Sequence, residues 1–296
     1  MTSLSVVIPT HDFDCSELAL SLSEQCKACE GVGTYEVIVV DDHSKIHTEE
    51  LERLDRLPHV RVLQLEGGSG RAMARNAGIS EAKGEWILLA DADAKVASPS
   101  FIQKYVDSTK TGSEVINGGI RTLPESAKDD NRLRYLYESS AQKRHTLEYR
   151  KAHPYHNFSV FNILVRASVL DLLKFDEKIS QYGHEDTLFG VRLKALGIKI
   201  THISNELVHT GIDDNRSFLN KTEQGLKNLY HLQNELREAS PLIKLKDKLQ
   251  AYHLIPLVKG FHSVFGKIER SWLLSHHPSL FVLKLYKVGY FANLND

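Results

Sequence analysis

Over the first 120 residues, short and almost uninterrupted apolar runs alternate with segments of helical period. The run LSVVIP (4–9) is too short for a helix and is closed by Pro9, so it predicts a buried strand. Leu18, Leu22, Cys26 and Cys29 then fall on one face of a helix expected over 16–29. YEVIVVDDHS (35–44) predicts a second strand ending in Asp41 and Asp42, and VRVLQLE (60–66) a third that runs into Gly67, Gly68 and Gly70. A helix over 71–82, stopped by Gly84, leads to a fourth strand in EWILLADAD (85–93). Ser98 and Pro99 supply N-cap and first-turn signals for a helix to about residue 109, and SEVINGG (113–119) closes the series. Strands without polar alternation are buried on both faces and pair mostly in parallel. The pattern therefore predicts an α/β fold, a Rossmann-like and mostly parallel sheet flanked by helices.

The middle of the chain is less regular. A charged helix is expected over 129–150, a strand in FSVFNILV (158–165), an amphipathic helix over 185–196, and one strand or a bent pair in IKITHISNELVH (198–209). From residue 213 the pattern is helical, with leucines at 219, 226, 229, 232 and 236 marking a helix over 217–238. The chain thus divides into an α/β region, 1–212, with halves at 1–120 and 121–212, and a helical carboxyl-terminal extension, 213–296.

Composition narrows the function classes. The 37 Lys and Arg balance 38 Asp and Glu, so no global field draws the chain to nucleic acid, and any polyanion site must be local. The three cysteines, Cys15, Cys26 and Cys29, are too few for a disulfide framework, which fits a reducing compartment. Cys26 and Cys29 form a CxxC with no second pair to complete a zinc site, so they read as core residues. The amino terminus reaches an acidic residue too soon for a signal peptide. No window reaches the ~18 uninterrupted apolar residues of a membrane span. A cytoplasmic protein is expected.

The conspicuous acids collect at the carboxyl ends of the predicted strands, where ligands bind in open α/β sheets. Asp91 and Asp93 stand one residue apart after a buried strand. One can accept from ribose hydroxyls while the other offers oxygen to Mn2+ or Mg2+, cations that combine few carboxylates with substrate phosphate. Asp41 and Asp42 read either as a turn or helix cap or as a carboxylate accepting a hydrogen bond from a base such as uracil, with Asp42 the better placed of the pair. GGSGRAMARNAG (67–78) sets a flexible loop before a helix carrying Arg71 and Arg75, which suits phosphate. Met73 replaces the third glycine of a dinucleotide fingerprint, so an oxidoreductase is disfavoured. In GHEDTLFGVRLKALG (183–197), Glu185 and Asp186 open a helix, where negative charge is stabilised. Asp186 can be a general base toward an acceptor hydroxyl, with Glu185, His184 and Tyr182 positioning that acceptor. His209, after the last predicted strand, can complete coordination begun by Asp93.

In order and spacing, VVIPTHDF, VVDDHS, GRAMARNAG with GEWILLADAD, FSVFNILVRASVL, GHEDTLFGVRLKALG and LVHTG resemble family 2 glycosyltransferases of the GT-A fold, over about residues 3–212. The resemblance implies inverting transfer of a sugar from a nucleotide-sugar, with a UDP-sugar as donor, to a hydroxyl of a glycan or lipid-linked glycan. It implies that Pro9, Thr10, Asp12 and Asp42 line the nucleobase pocket, Arg75 faces the nucleotide, Asp91 meets the ribose, Asp93 and His209 hold the metal, and Asp186 is the base. Two positions depart from the family pattern. Ala94 stands where many relatives carry a further acid, which bears on the metal, and His184 stands where an aromatic often precedes the ED pair, which bears on the acceptor. The alternative is a GT-A-like module that binds nucleotide or glycan without turnover. The basic and aromatic residues of 213–296 are compatible with peripheral contact at the inner face of a membrane, with a cap on the catalytic domain, and with a homodimer contact.

Overall fold

The computed structural model describes residues 1–68, 70–179 and 182–294. β1 (Thr2–Thr10) and α1 (Ser16–Ala28) open the chain, followed by β2 (Val32–Asp41), α2 (Thr48–Asp55), β3 (Val60–Gln64), α3 (Arg71–Glu81) and β4 (Trp86–Ala90). The fourth strand ends three residues before the sequence pattern suggests. The Ala94 N–H donates to the Asp91 carbonyl at 3.1 Å, closing a turn that lifts Asp91, Ala92 and Asp93 out of the ladder. β5 (Ala94–Val96) then begins a separate sheet. α4 (Phe101–Thr109) has Ser100 at its N-cap. Ser98 and Pro99 form a lead-in turn instead of the cap and first helical residue, because the Phe101 N–H donates to the Ser98 carbonyl at 3.3 Å.

β6 (Val115–Asn117), β7 (Ile120–Arg121), α5 (Arg132–Ala141), α6 (Leu147–Ala152), β8 (Asn162–Arg166) and α7 (Ala167–Leu172) follow. The helix expected over 129–150 is two, the second started by the Thr146 hydroxyl accepting from the Tyr149 N–H at 3.3 Å. Phe158 and Val160 are buried but lie ahead of the β8 ladder, so only the latter part of FSVFNILV is strand. α8 (Glu185–Ala195), β9 (Ile200–His202) and β10 (Leu207–His209) come next, and the expected bent pair becomes two strands in different sheets. α9 (Asn215–His231), α10 (Pro241–Ala251), α11 (Ile255–Leu273) and α12 (Leu280–Asn293) complete the chain.

The chain forms two compact units. One comprises Met1–Leu123, Lys143–Ser180 and Phe189–Gly211; the other comprises Pro124–Gln142, Gln181–Leu188 and Ile212–Asp296. The first holds a seven-stranded sheet in the order β3-β2-β1-β4-β8-β6-β9 and a three-stranded sheet in the order β5-β10-β7. β8 runs antiparallel to β4 and β6, and the other neighbours in the large sheet are parallel. Successive side chains of one strand serve opposite cores, as the period of two requires. Val6 and Ile8 join Leu18, Leu22 and Phe101 on one face, while Val7 joins Ile38, Ala74 and Phe189 on the other. In the second unit, Leu133, Phe218, Leu219, Leu273 and Leu283 form a separate core. All three cysteines are buried free thiols, and burial pushes Cys15 and Cys26 up to about 12, so they behave as core residues.

Candidate active site

The carboxyl ends of β1 and β2 lie side by side because the register pairs Thr10 with Asp41. The Asp42 N–H donates to the Thr10 carbonyl at 2.9 Å, and the Asp42 carboxylate accepts from the Gly70 N–H at 2.9 Å. The glycine loop is thereby tied to the β2 terminus. His11 donates through Nδ1 to the Asp42 carbonyl at 2.8 Å, and the Thr10 hydroxyl donates to the Phe13 carbonyl at 2.8 Å. Asp12, at φ 53°, accepts from the Lys45 and Ile46 N–H groups. Those backbone donors, Lys45 first, hold its carboxyl below the usual carboxylate range. Pro9 pairs with Val40 in the same ladder, so Pro9, Thr10, Asp12 and Asp42 converge on one strand end.

α3 brings Arg75 to the neighbouring strand terminus. Its side chain is 1% exposed and its Nη2 donates to Asp91 Oδ1 at 2.7 Å, with Phe175 beneath the guanidinium at 5.4 Å. Arg71, one turn earlier, lies 3.7 Å from Asp91 Oδ2. Burial alone would raise the Asp91 pKa, but Arg75 and then Arg71 overcome it and hold the carboxyl below its ordinary value.

A long-range pairing completes this end of the sheet. Antiparallel pairing of β10 with β5 sets His209 opposite Ala94, beside Asp93. His209 Nε2 lies 3.1 Å from Asp93 Oδ2, and the Thr210 N–H and hydroxyl both donate to the Asp93 carbonyl, at 2.9 and 2.8 Å. Gly211 permits this approach, since a Cβ there would fall 2.5 Å from the Asp93 Cβ. Asp93 Oδ1 is buried and accepts no hydrogen bond. A buried carboxylate oxygen without a donor keeps its lone pairs for a ligand, and with an imidazole at the same carboxylate the donor set fits Mn2+ or Mg2+. Among the described residues no group of three or more His, Cys, Asp and Glu is placed to hold an ion, so a cation here would draw its remaining ligands from substrate and water.

The residues expected to serve the acceptor belong to the second unit. Gly183 and His184 both have positive φ, 110° and 74°, immediately before α8. A Cβ at Gly183 would meet the Gly225 Cα at 2.9 Å, and Asn228 Nδ2 donates to the Tyr182 and Gly183 carbonyls at 3.2 Å each. α9 therefore clamps the loop in a conformation it would not adopt unaided. Glu185 is buried, and its Oε2 accepts from the Gly183 N–H at 3.1 Å, whereas Asp186, next in the first turn of α8, is partly exposed. Lys221 Nζ lies 5.4 Å from the Tyr182 ring centre. The His184 ring is enclosed on most sides, and that desolvation, followed by the charge of Lys287 and opposed by Glu185, pushes its pKa down to about 4.

The Glycosyl transferase family 2 profile matches residues 5–173. The chain belongs to glycosyl transferase family 2. Among family relatives, the Escherichia coli protein named chondroitin synthase is 26% identical over 238 residues, 70% of this chain and 34% of its own length. The Rhizobium meliloti succinoglycan biosynthesis protein ExoO is 34% identical over 116 residues, 39% of this chain and 32% of its own. The chain thus spans about a third of the length of these curated relatives. Two solved family 2 structures show that it has the GT-A fold. Staphylococcus aureus TarS 1–349 superposes with TM-score 0.53 at 19% identity, covering 98% of this chain and 89% of that one. The Pyrobaculum calidifontis mannosyltransferase PcManGT, in complex with GDP-Man and Mn2+, gives 0.58 at 14% identity, covering 98% and 84%.

Several residues of this family 2 chain that shape the strand ends escaped the sequence reading. Ser44, whose hydroxyl accepts from the Asp12 N–H at 2.8 Å, closes the VVDDHS segment but was given no role of its own. Gly70, read only as part of a flexible loop, acts through its backbone N–H, and Thr210 joins its hydroxyl to a backbone N–H whose action residue type does not encode. Gly211 had a signal, since it stands two residues after His209, but its role emerges only when the 116-residue separation between Asp93 and His209 is closed.

Proposed function

We propose that this chain transfers a sugar from a nucleotide-sugar, with a UDP-sugar as donor, to a hydroxyl of a glycan or lipid-linked glycan, with inversion. The observation that carries this reading is the Asp93 carboxylate, one oxygen held by His209 and the other buried without a donor, on a family 2 chain. Asp42 supports a uracil donor because a carboxylate accepts from a base N–H. Asp91 accepts from the ribose hydroxyls, and Arg75 supplies positive charge toward the nucleotide while fixing Asp91. Pro9, Thr10 and Asp12 frame the base. Asp93 and His209 would hold Mn2+ or Mg2+, which when bound would supply positive charge to the departing diphosphate. Asp186 takes the proton of the acceptor hydroxyl as that oxygen forms its bond to the anomeric carbon, the bond to the diphosphate oxygen breaks, and configuration inverts. Glu185, His184 and Tyr182 position the acceptor. We assign this chemistry to 1–212 and treat 213–296 as a helical extension. Buried free thiols support a reducing, cytoplasmic setting. A glycan acceptor is supported by the names of the chondroitin and succinoglycan relatives.

The test is a panel of nucleotide-sugars assayed for hydrolysis with and without metal, followed by transfer assays on Asp93→Ala and Asp186→Asn. Metal-dependent release from a UDP-sugar, weakened donor binding in Asp93→Ala, and loss of transfer with donor binding retained in Asp186→Asn are the expected results. Equal UDP affinity with and without metal removes the metal role of Asp93, and near-normal turnover of Asp186→Asn removes it as base.

A further inference from the structure

The carboxyl-terminal helices carry a feature that sugar transfer does not use. On α11, Leu257, Phe261, Val264, Phe265, Ile268 and Trp272 are exposed by 71, 47, 69, 42, 60 and 54%. At 3.6 residues per turn these positions occupy one stripe about 100° wide. The opposite side of the helix is buried through Gly266, Glu269 and Leu273. It packs against α12, where a Cβ at Gly289 would meet the His262 ring at 2.6 Å and the Tyr286 ring lies 5.2 Å from that of His262. The apolar stripe is therefore the outward face of a helix already docked on its other side. On α12, Phe281 and Leu285 are exposed as well, by 68 and 41%.

Charge decides what such a face meets. Residues 241–294 contain eight Lys and Arg against two Asp and Glu, in a chain whose overall charge is -1. Both acids are engaged: Asp247 with Arg237 at 2.8 Å and Glu269 with His262 at 3.0 Å. Lys248, Lys267 and Lys284 are exposed. A two-fold contact between copies would set this basic segment against itself, which opposes self-association. An apolar stripe with aromatic side chains, sharing its surface with Lys267 at Ile268 and Trp272 on a net basic segment, instead matches a helix lying in the plane of an anionic bilayer surface. None of the described helices is long and apolar enough to cross a membrane, so contact of this kind lies on the bilayer.

We propose that α11 docks the chain on an anionic lipid surface, with Leu257, Phe261, Val264, Ile268 and Trp272 immersed among the acyl chains and the lysines among the headgroups. This rests on the helix face alone and stands or falls apart from the donor and acceptor readings. The test is flotation of the full chain with vesicles of phosphatidylcholine alone and with phosphatidylglycerol added, at low and high salt. Binding should require phosphatidylglycerol, fall at least about tenfold at high salt, and fall by a similar factor in Leu257→Ser/Val264→Ser/Ile268→Ser. Those side chains are exposed, so the triple variant should keep the parent's melting temperature. Trp272 supplies an independent readout: its emission should shift to the blue and be quenched by brominated lipid, while Trp86, 5% exposed within the sheet, stays silent. Absence of flotation with either vesicle overturns the proposal, as does undiminished binding of the triple variant. A concentration-dependent dimer by sedimentation, abolished by the triple variant while lipid binding is absent, would assign the face to a second copy and overturn it equally.

Discussion

Replacing Arg75 with Met isolates the electrostatic support beneath the strand ends. The guanidinium is 1% exposed and donates to a carboxylate that is itself 13% exposed, so its loss leaves Asp91 charged and largely out of water. Breaking a buried pair by removing one partner costs about 3–5 kcal/mol. Arg71 moderates the loss, because it remains 3.7 Å from the other Asp91 oxygen, but at 40% exposure it returns only about 1 kcal/mol. Arg75→Met should therefore destabilise the first unit by about 2–4 kcal/mol. Arg75→Lys, which keeps charge but loses the planar contact with Phe175, should fall between Met and the parent. Urea unfolding in the presence of a chelator measures this, followed by emission from Trp86, which begins the strand that ends beside Asp91. Arg75→Met/Asp91→Asn should recover a substantial part of the loss, because an amide tolerates burial without a counter-charge. A loss under about 0.5 kcal/mol in Arg75→Met, or a coupling energy that small in the double-mutant cycle, would refute the claim that Arg75 holds Asp91.

Two further outcomes follow from the geometry. Gly211→Ala sets a methyl 2.5 Å from the Asp93 Cβ and 2.8 Å from its Oδ2, so it should lower stability by about 1–3 kcal/mol and raise the metal concentration for half-maximal activation at least about tenfold; Gly260→Ala, which meets nothing within 4 Å, is the control. His184 titrates near 4 in the folded chain under burial and Lys287, against 6.5 as its ordinary value. Between these values the unfolded chain binds the extra proton, so stability falls as pH drops through that window, by up to about 3 kcal/mol at its lower end. His184→Gln should flatten that part of the stability profile, and an unchanged slope would mean that the ring is not held neutral.

The large sheet was legible because its strands are apolar on both faces, a signature that side-chain type carries directly. The acids of Asp42, Asp91 and Asp93 were legible for a related reason, since polar residues directly after such runs mark where strands leave the core. Boundaries were less so. The fourth strand was extended through to Asp93 because the alanines between the aspartates continue the apolar run, and the bond that closes the turn, from Ala94 to Asp91, is purely backbone. Ser98 and Pro99 matched cap chemistry, yet the helix begins at Phe101 after a turn made by the same Ser98 carbonyl. The neighbourhood of Asp93 depends on a strand more than a hundred residues away, and spacing alone has no means of setting that register.

The β10 ladder also bears on where a shortened chain can end. The family profile stops at residue 173, ahead of both β9 and β10. A fragment cut there would leave β6 with one partner in place of two, and β5 and β7 with none, since β10 joins them. Unpaired backbone at three strands is a template for aggregation between copies. Any minimal chain meant to fold and hold His209 beside Asp93 must therefore run through Gly211, well past the last residue that the family profile matches.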